Sequence, residues 1–148
     1  MQHAARPFTA LGWAAIVVAG VLGAAMIQRP SSLLVWIMAY LILVAGAGQY
    51  ALGAGQARLS PPEPGQVWGQ WALLNLGHAG IIGGTLASRF SVVAAATVPY
   101  VLAVLWFAWR VRPKRGGALL LGYRAVLLVM LLSALIGVWL SALNHGHL

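Results

Sequence analysis

The sequence predicts an all-α integral membrane protein, a bundle of five transmembrane helices with the N-terminus inside and the C-terminus outside. Of its 148 residues, 61% are hydrophobic and only 7% are charged, against about 25% charged in soluble domains. The chain also contains five apolar stretches of about 20 residues, the length that crosses a hydrocarbon core of about 30 Å. We expect a single transmembrane domain over residues 1–148.

Prolines and charges separate the predicted spans. Spans one and two begin just after Pro7 and Pro30, because proline is tolerated in the first turn of a helix. Residues 56–66 form a linker, since an irregular, proline-rich backbone would leave polar groups unpaired in hydrocarbon. Arg89 and the basic run 110–115 mark the two later breaks. The predicted spans are 8–28, 32–55, 67–88, 91–109 and 118–143.

The basic residues are distributed unequally between the two sides of this bundle. Of the nine lysines and arginines, Arg29 and Arg89 alone lie on one side. Lys and Arg in short loops are retained in the cytoplasm, so the N-terminus is expected there. The inner loop at 110–115 carries four of these nine residues, and we expect it to fix the topology and to contact anionic lipid rather than nucleic acid. Its basic residues are Arg110, Arg112, Lys114 and Arg115.

The composition excludes several kinds of catalytic site. Glu63 is the one acidic residue, so no carboxylate pair for general acid–base chemistry can form. The chain has no cysteine, which removes disulfides, thiolate nucleophiles and thiolate metal sites. Ser133 and Ser141 have no histidine–acid pair near them. We therefore expect a protein that is not an enzyme.

Small residues recur at helical spacing in three of the spans. Helices in lipid associate where small residues let their backbones approach closely. So many small faces favour an oligomer or a larger complex over one isolated bundle. The predicted packing residues are Ala15, Ala19 and Gly23 in span one, Gly80 and Gly84 (beside Ala79 and Gly83) in span three, and Ser133, Gly137 and Ser141 in span five.

His78 is the most informative polar residue, because ionisable groups inside a membrane mark functional sites. It lies ~16 Å deep in span three, and Asn75 shares its helical face. We expect a neutral imidazole that is hydrogen-bonded to a neighbouring helix, with no cofactor. The alternatives are a proton relay, a metal ligand or a haem ligand, the last needing an axial partner such as Met130 or a second His78 across a dimer axis.

Three further polar side chains are candidates for a cluster with His78 and Asn75. They are Gln49 at the inner end of span two, Tyr100 in the middle of span four and Arg124 near the inner end of span five. Arg124 is expected to extend to the headgroups, and its alternative is a buried role. His145 and His147 resemble a metal-binding pair, but without a third ligand we expect an ordinary polar terminus.

Three functional hypotheses follow from these features. The first is a non-catalytic subunit or accessory partner of a larger membrane complex, with lipid and other membrane subunits or further copies of itself as partners. The second is a haem- or metal-binding redox protein that uses His78. The third is a small transporter or proton-coupled carrier that uses the polar cluster. The sequence contains no Asn-X-Ser/Thr glycosylation site, which favours a bacterial inner membrane.

Overall fold

The computed structural model describes residues 2–27, 31–112 and 117–145, and side chains between residues 5 and 143 within these ranges. Every regular element in these ranges is helical, so the predicted all-α class is confirmed. The helices are α1 (Gln2–Ala25), α2 (Ser32–Leu59), α3 (Pro64–Leu86), α4 (Phe90–Val111) and α5 (Ala118–His145).

Four of these helices, α1, α2, α4 and α5, are long and apolar enough to cross a membrane. Helix α3 has 23 residues and is therefore ~34 Å long, but it contains glutamine, asparagine and histidine. Its polar side chains Gln70 and His78 are buried, and Asn75 is half-buried. The exposed positions of α3 are all apolar: Pro64, Gly65, Trp68, Ala72, Leu76, Ala79, Gly83 and Leu86.

The linker between spans two and three is shorter than the sequence suggests. Helix α2 continues past the expected end at Gly55 to Leu59, since no helix-breaking residue occurs before Pro61. Helix α3 begins at Pro64, where proline suits the first helical position. The backbone N–H of Glu63 donates to Oε1 of Gln66, with 3.3 Å between the two atoms, which is half of a capping box.

The chain divides into two compact units, Met1–Pro62 and Glu63–Leu148, and each is described by itself. In the first unit, α1 packs along α2, which contains a π-helical segment, Leu41–Gly48, between two α-helical parts. A Cβ built on Gly12 would lie 2.9 Å from the carbonyl oxygen of Gly46. The two backbones therefore approach so closely at this point that a side chain on Gly12 does not fit.

In the second unit, α3 packs against α4, and α4 packs against α5. The turn between α3 and α4 is a Schellman motif, in which Arg89 N–H donates to the Gly84 carbonyl at 2.8 Å and Ser88 N–H to the Thr85 carbonyl at 3.1 Å. Ser88 has a positive φ of 51°, the conformation this motif requires. The tight turn makes α3 and α4 an antiparallel pair.

Candidate functional site

The centre of the second unit is a contact between an imidazole and a phenol ring. His78 on α3 is 4% exposed and Tyr100 on α4 is 1% exposed. Their ring centroids lie 5.4 Å apart with 67° between the ring planes, which is the edge-to-face arrangement that aromatic rings prefer. This buried pair is the candidate functional site.

Gly77, the residue before His78, permits this contact. A Cβ built on Gly77 would lie 2.6 Å from Cβ of Tyr100 and 2.8 Å from its Cα. Real Cβ atoms do not come so close to backbone, so any side chain on Gly77 would separate α3 from α4. The glycine therefore sets the distance between the helices at the depth of the histidine.

Tyr100 also links the pair to α5. Its hydroxyl donates to the Met130 carbonyl with 3.4 Å between the oxygens, and the Ser133 hydroxyl donates to the same carbonyl at 2.9 Å. The first of these is long for an O–H···O hydrogen bond and so is weak. His78, Tyr100 and the Met130 carbonyl form a polar line across α3, α4 and α5.

The structure divides the predicted polar cluster. His78 and Tyr100 are in contact, but the Asn75 side chain donates to the Trp71 carbonyl of its own helix at 2.8 Å. Gln49 is fully buried in the first unit. Arg124 is exposed, and it lines an open depression of about 380 Å³ at the start of α5. Of the predicted polar cluster, the structure brings the side chains of His78 and Tyr100 into contact.

Met130 is the axial ligand that the haem alternative would use. In the structure it takes part in this site through its backbone carbonyl. A haem on the Tyr100 side of His78 would first have to displace the phenol ring. In the parts of the chain that the structure describes, no three His, Asp or Glu side chains lie close enough together to hold a metal ion. His147 lies outside the described residues, and the side chain of His145 is not described.

The predicted packing residues differ in what surrounds them. Ala15 and Ala19 are buried, and a Cβ on Gly23 would lie 3.2 Å from Cε of Met38 in α2. On α3, Gly80 lies against the Ala96 side chain, and a Cβ on Gly84 would lie 2.8 Å from the Val93 nitrogen. Ala79 and Gly83, on the other side of that helix, are exposed, as are Ser133 and Gly137; Ser141 is half-buried.

Two buried glutamines are absent from the predicted site. Gln56 is 1% exposed and Gln70 is fully buried. We expected Gln56 in a linker, although the segments Ala-Gly-Ala-Gly-Gln49 and Gly-Ala-Gly-Gln56 repeat at a helical spacing of seven. Gln70 precedes His78 by eight residues and shares its helical face. The spacing of seven from Gln49 could have predicted that Gln56 is buried, and the spacing of eight from His78 could have predicted the same for Gln70.

The basic residues at the end of α4 lie near a tryptophan. The guanidinium carbon of Arg112 lies 5.5 Å from the centre of the Trp109 ring, within cation–π distance. Arg110 is half-buried and Arg112 is exposed. Lys114 and Arg115 lie outside the described residues. An exposed tryptophan beside arginines is typical of a membrane–water interface.

The site contains neither a carboxylate nor a thiol. Glu63, the only acid in the sequence, lies at the start of α3, ~22 Å along the helix axis from His78. An imidazole, a phenol and a hydroxyl are present, but neither carboxylate nor thiol accompanies them.

No protein-family model, curated protein or solved structure matches this chain.

Proposed function

We propose that this chain is a small polytopic protein of a bacterial inner membrane, with its N-terminus in the cytoplasm. In this proposal it is a non-catalytic subunit or accessory partner of a larger membrane complex. The observation that carries the proposal is the exposure of the second half of α5, where no residue between 131 and 143 is buried.

The first half of α5 provides the contrast. Leu120, Tyr123, Leu127 and Met130 are buried, and their spacing of three, four and three residues places them on one face. Beyond Met130 the helix continues to His145 without a buried position among the described side chains. The second half of α5 is therefore available to another membrane protein.

The composition of this exposed half favours a protein partner over lipid alone. Ser133 and Gly137 are one turn apart and exposed, and within the described chain no atom lies within 4 Å of a Cβ built on Gly137. Lipid tails gain nothing from a small residue, whereas a second helix can approach its backbone closely there. A partner helix on this stripe accounts for both residues.

The chemistry of the candidate site supports a non-catalytic role. The edge-to-face contact between His78 and Tyr100 joins α3 to α4, and the Tyr100 hydroxyl joins α4 to α5. Both contacts stabilise the second unit, and the two rings have neither a carboxylate nor a thiol beside them to activate them. A rigid three-helix unit is suited to present α5 to a partner.

The proposal can be tested with a photoreactive amino acid at residue 137 in intact membranes. We expect a cross-link from residue 137 to one defined membrane protein or to a second copy, and none from residue 122, which is equally open in the same helix. Gly137→Leu should abolish the complex in native mass measurements, whereas Gly122→Leu should preserve it. A protein that is a monomer in mild detergent and cross-links only to lipid would contradict the proposal.

A further inference from the structure

The first unit contains a second polar feature, on one face of α2. Gln49 is fully buried and Gln56 is 1% exposed. They are seven residues apart, so their side chains project from the same face ~10 Å apart along the helix axis. Leu52, also fully buried, lies between them on this face. We call Gln49 and Gln56 together the α2 amide pair.

The α2 amide pair contains three amide atoms that lack a hydrogen-bond partner within the described residues. They are Oε1 and Nε2 of Gln49 and Nε2 of Gln56. A buried amide atom without a partner costs ~1–3 kcal/mol, and buried polar groups in native proteins nearly always bond to protein or to ordered water. The pair is therefore expected to bind a molecule that can both donate and accept.

The charge of the first unit limits what that molecule can be. Residues 1–62 contain no acid, so a cation would have no carboxylate to balance it. The pair carries no ionisable group, since an amide neither gains nor loses a proton near neutral pH. A neutral molecule that donates to Oε1 and accepts from Nε2 satisfies the pair without burying a charge.

The backbone at Gln49 departs from a regular helix. The π-helical segment ends at Gly48, and the Gln49 N–H is shared between the Val44 and Gly46 carbonyls. Such segments are rare and occur often at functional sites.

We propose that the α2 amide pair is a binding site for internal water within the first unit. Water is the smallest neutral molecule that both donates and accepts, and a buried water usually makes about three hydrogen bonds to polar groups that otherwise lack partners. Each water accepts from Nε2 of a glutamine, and at Gln49 it also donates to Oε1. The site goes beyond the proposed assembly role, because it lies on α2 and does not involve α5.

Water-edited solid-state NMR of the full chain in phospholipid bilayers tests this inference. Side-chain amide signals are assigned to the pair by their disappearance in Gln49→Met and Gln56→Met. We expect both signals in the wild type to receive magnetisation from water within milliseconds. If either methionine variant fails to fold, Gln49→Asn or Gln56→Asn assigns the signal by shifting it.

Thermal unfolding in detergent gives an independent result. Both methionine variants should have a lower Tm than the wild type, because they lose bonds to the bound water. The matched control is Leu52→Met, on the same buried face, which should change Tm little. The proposal is overturned if the amide signals receive no magnetisation from water. In that case, a higher Tm for the methionine variants than for the wild type means that the amides have no hydrogen-bond partner. A lower Tm for these variants means that a protein group bonds the amides.

Discussion

The imidazole of His78 lies edge-on against the phenol of Tyr100, with 5.4 Å between ring centroids. The contact depends on the adjacent Gly77, whose missing side chain lets the backbone of Tyr100 approach. Gly77, one residue before His78, therefore determines that His78 contacts Tyr100. This relationship can be tested by changing the glycine and leaving both rings in place.

Gly77→Ala is expected to destabilise the second unit by about 1–3 kcal/mol, the usual cost of overpacking. The added methyl would lie 2.8 Å from the Tyr100 Cα, and backbone cannot move aside cheaply. The matched control is Gly83→Ala in the same helix, where no described atom lies within 4 Å of the new Cβ. Alanine favours helix there, so its Tm should be unchanged or higher. Equal Tm values for both variants would contradict the close approach.

The protein purified from cells supplied with haem is expected to show no Soret absorption. The Tyr100 ring packs against His78, and Met130 contributes its carbonyl to the site. The visible spectrum of the purified wild type is the measurement, with His78→Ala as the comparison. A Soret band that is present in the wild type and lost in His78→Ala would establish the haem alternative.

The sequence predicts the helices of this protein better than their ends. The five helices follow from apolar length, but the expected start of span three at Val67 overlooked Glu63, Pro64 and Gln66. Those three residues form a helix-start signal that is independent of hydropathy. Because hydropathy underweights polar residues near a span end, the expected spans miss about one turn of α2, to Leu59, and about one turn of α3, from Pro64.

The residues of the site were predictable from the sequence, but most of their contacts were not. His78 and Tyr100 are prominent because polar residues are rare in the spans, and their contact then depends on the approach of α3 to α4. The helical period gives the face on which a residue lies but not the helix opposite it. For Asn75, a hydrogen bond to its own helix competed with the expected contact to another helix.

In the first unit, Gly12→Ala should weaken the packing of α1 on α2. A Cβ at this position would lie 2.9 Å from the Gly46 carbonyl oxygen, so the helices would have to separate. Gly20→Ala in the same helix is the control, because nothing in the described chain lies within 4 Å of its Cβ. The Tm in detergent should fall for Gly12→Ala alone. A fall of the same size in Gly20→Ala would indicate a general loss of helix flexibility instead.

Ser88→Gly is expected to stabilise the turn between α3 and α4 by up to about 1 kcal/mol. Ser88 has φ of 51°, a conformation that costs about 1–2 kcal/mol for residues other than glycine. The gain is reduced by the interactions that the serine makes. Ser88→Ala, which keeps the strained backbone, is the control and should lower the Tm. A glycine variant that melts below the alanine variant would contradict the Schellman assignment.

The last prediction is that α3 crosses the membrane although it is the most polar of the five helices. A helix in water exposes its polar side and buries its apolar side, whereas a membrane helix turns its polar residues inward. Helix α3 shows the membrane pattern: Gln70 and His78 are buried, while Trp68 and Leu76 are more than half exposed. Its close packing on α4 allows the two helices to insert as a pair, with the polar face of α3 away from lipid.

Single cysteines placed on either side of α3 test this crossing cleanly, because the chain has no native cysteine. An impermeant maleimide added to intact cells should label Ser88→Cys, and it should label Pro61→Cys only after the cells are opened. The expected orientation rests on the excess of arginine and lysine on the side of residue 61. Labelling of both residues from one side would show that α3 does not cross. Labelling of residue 61 from outside and of residue 88 only in opened cells would invert the topology.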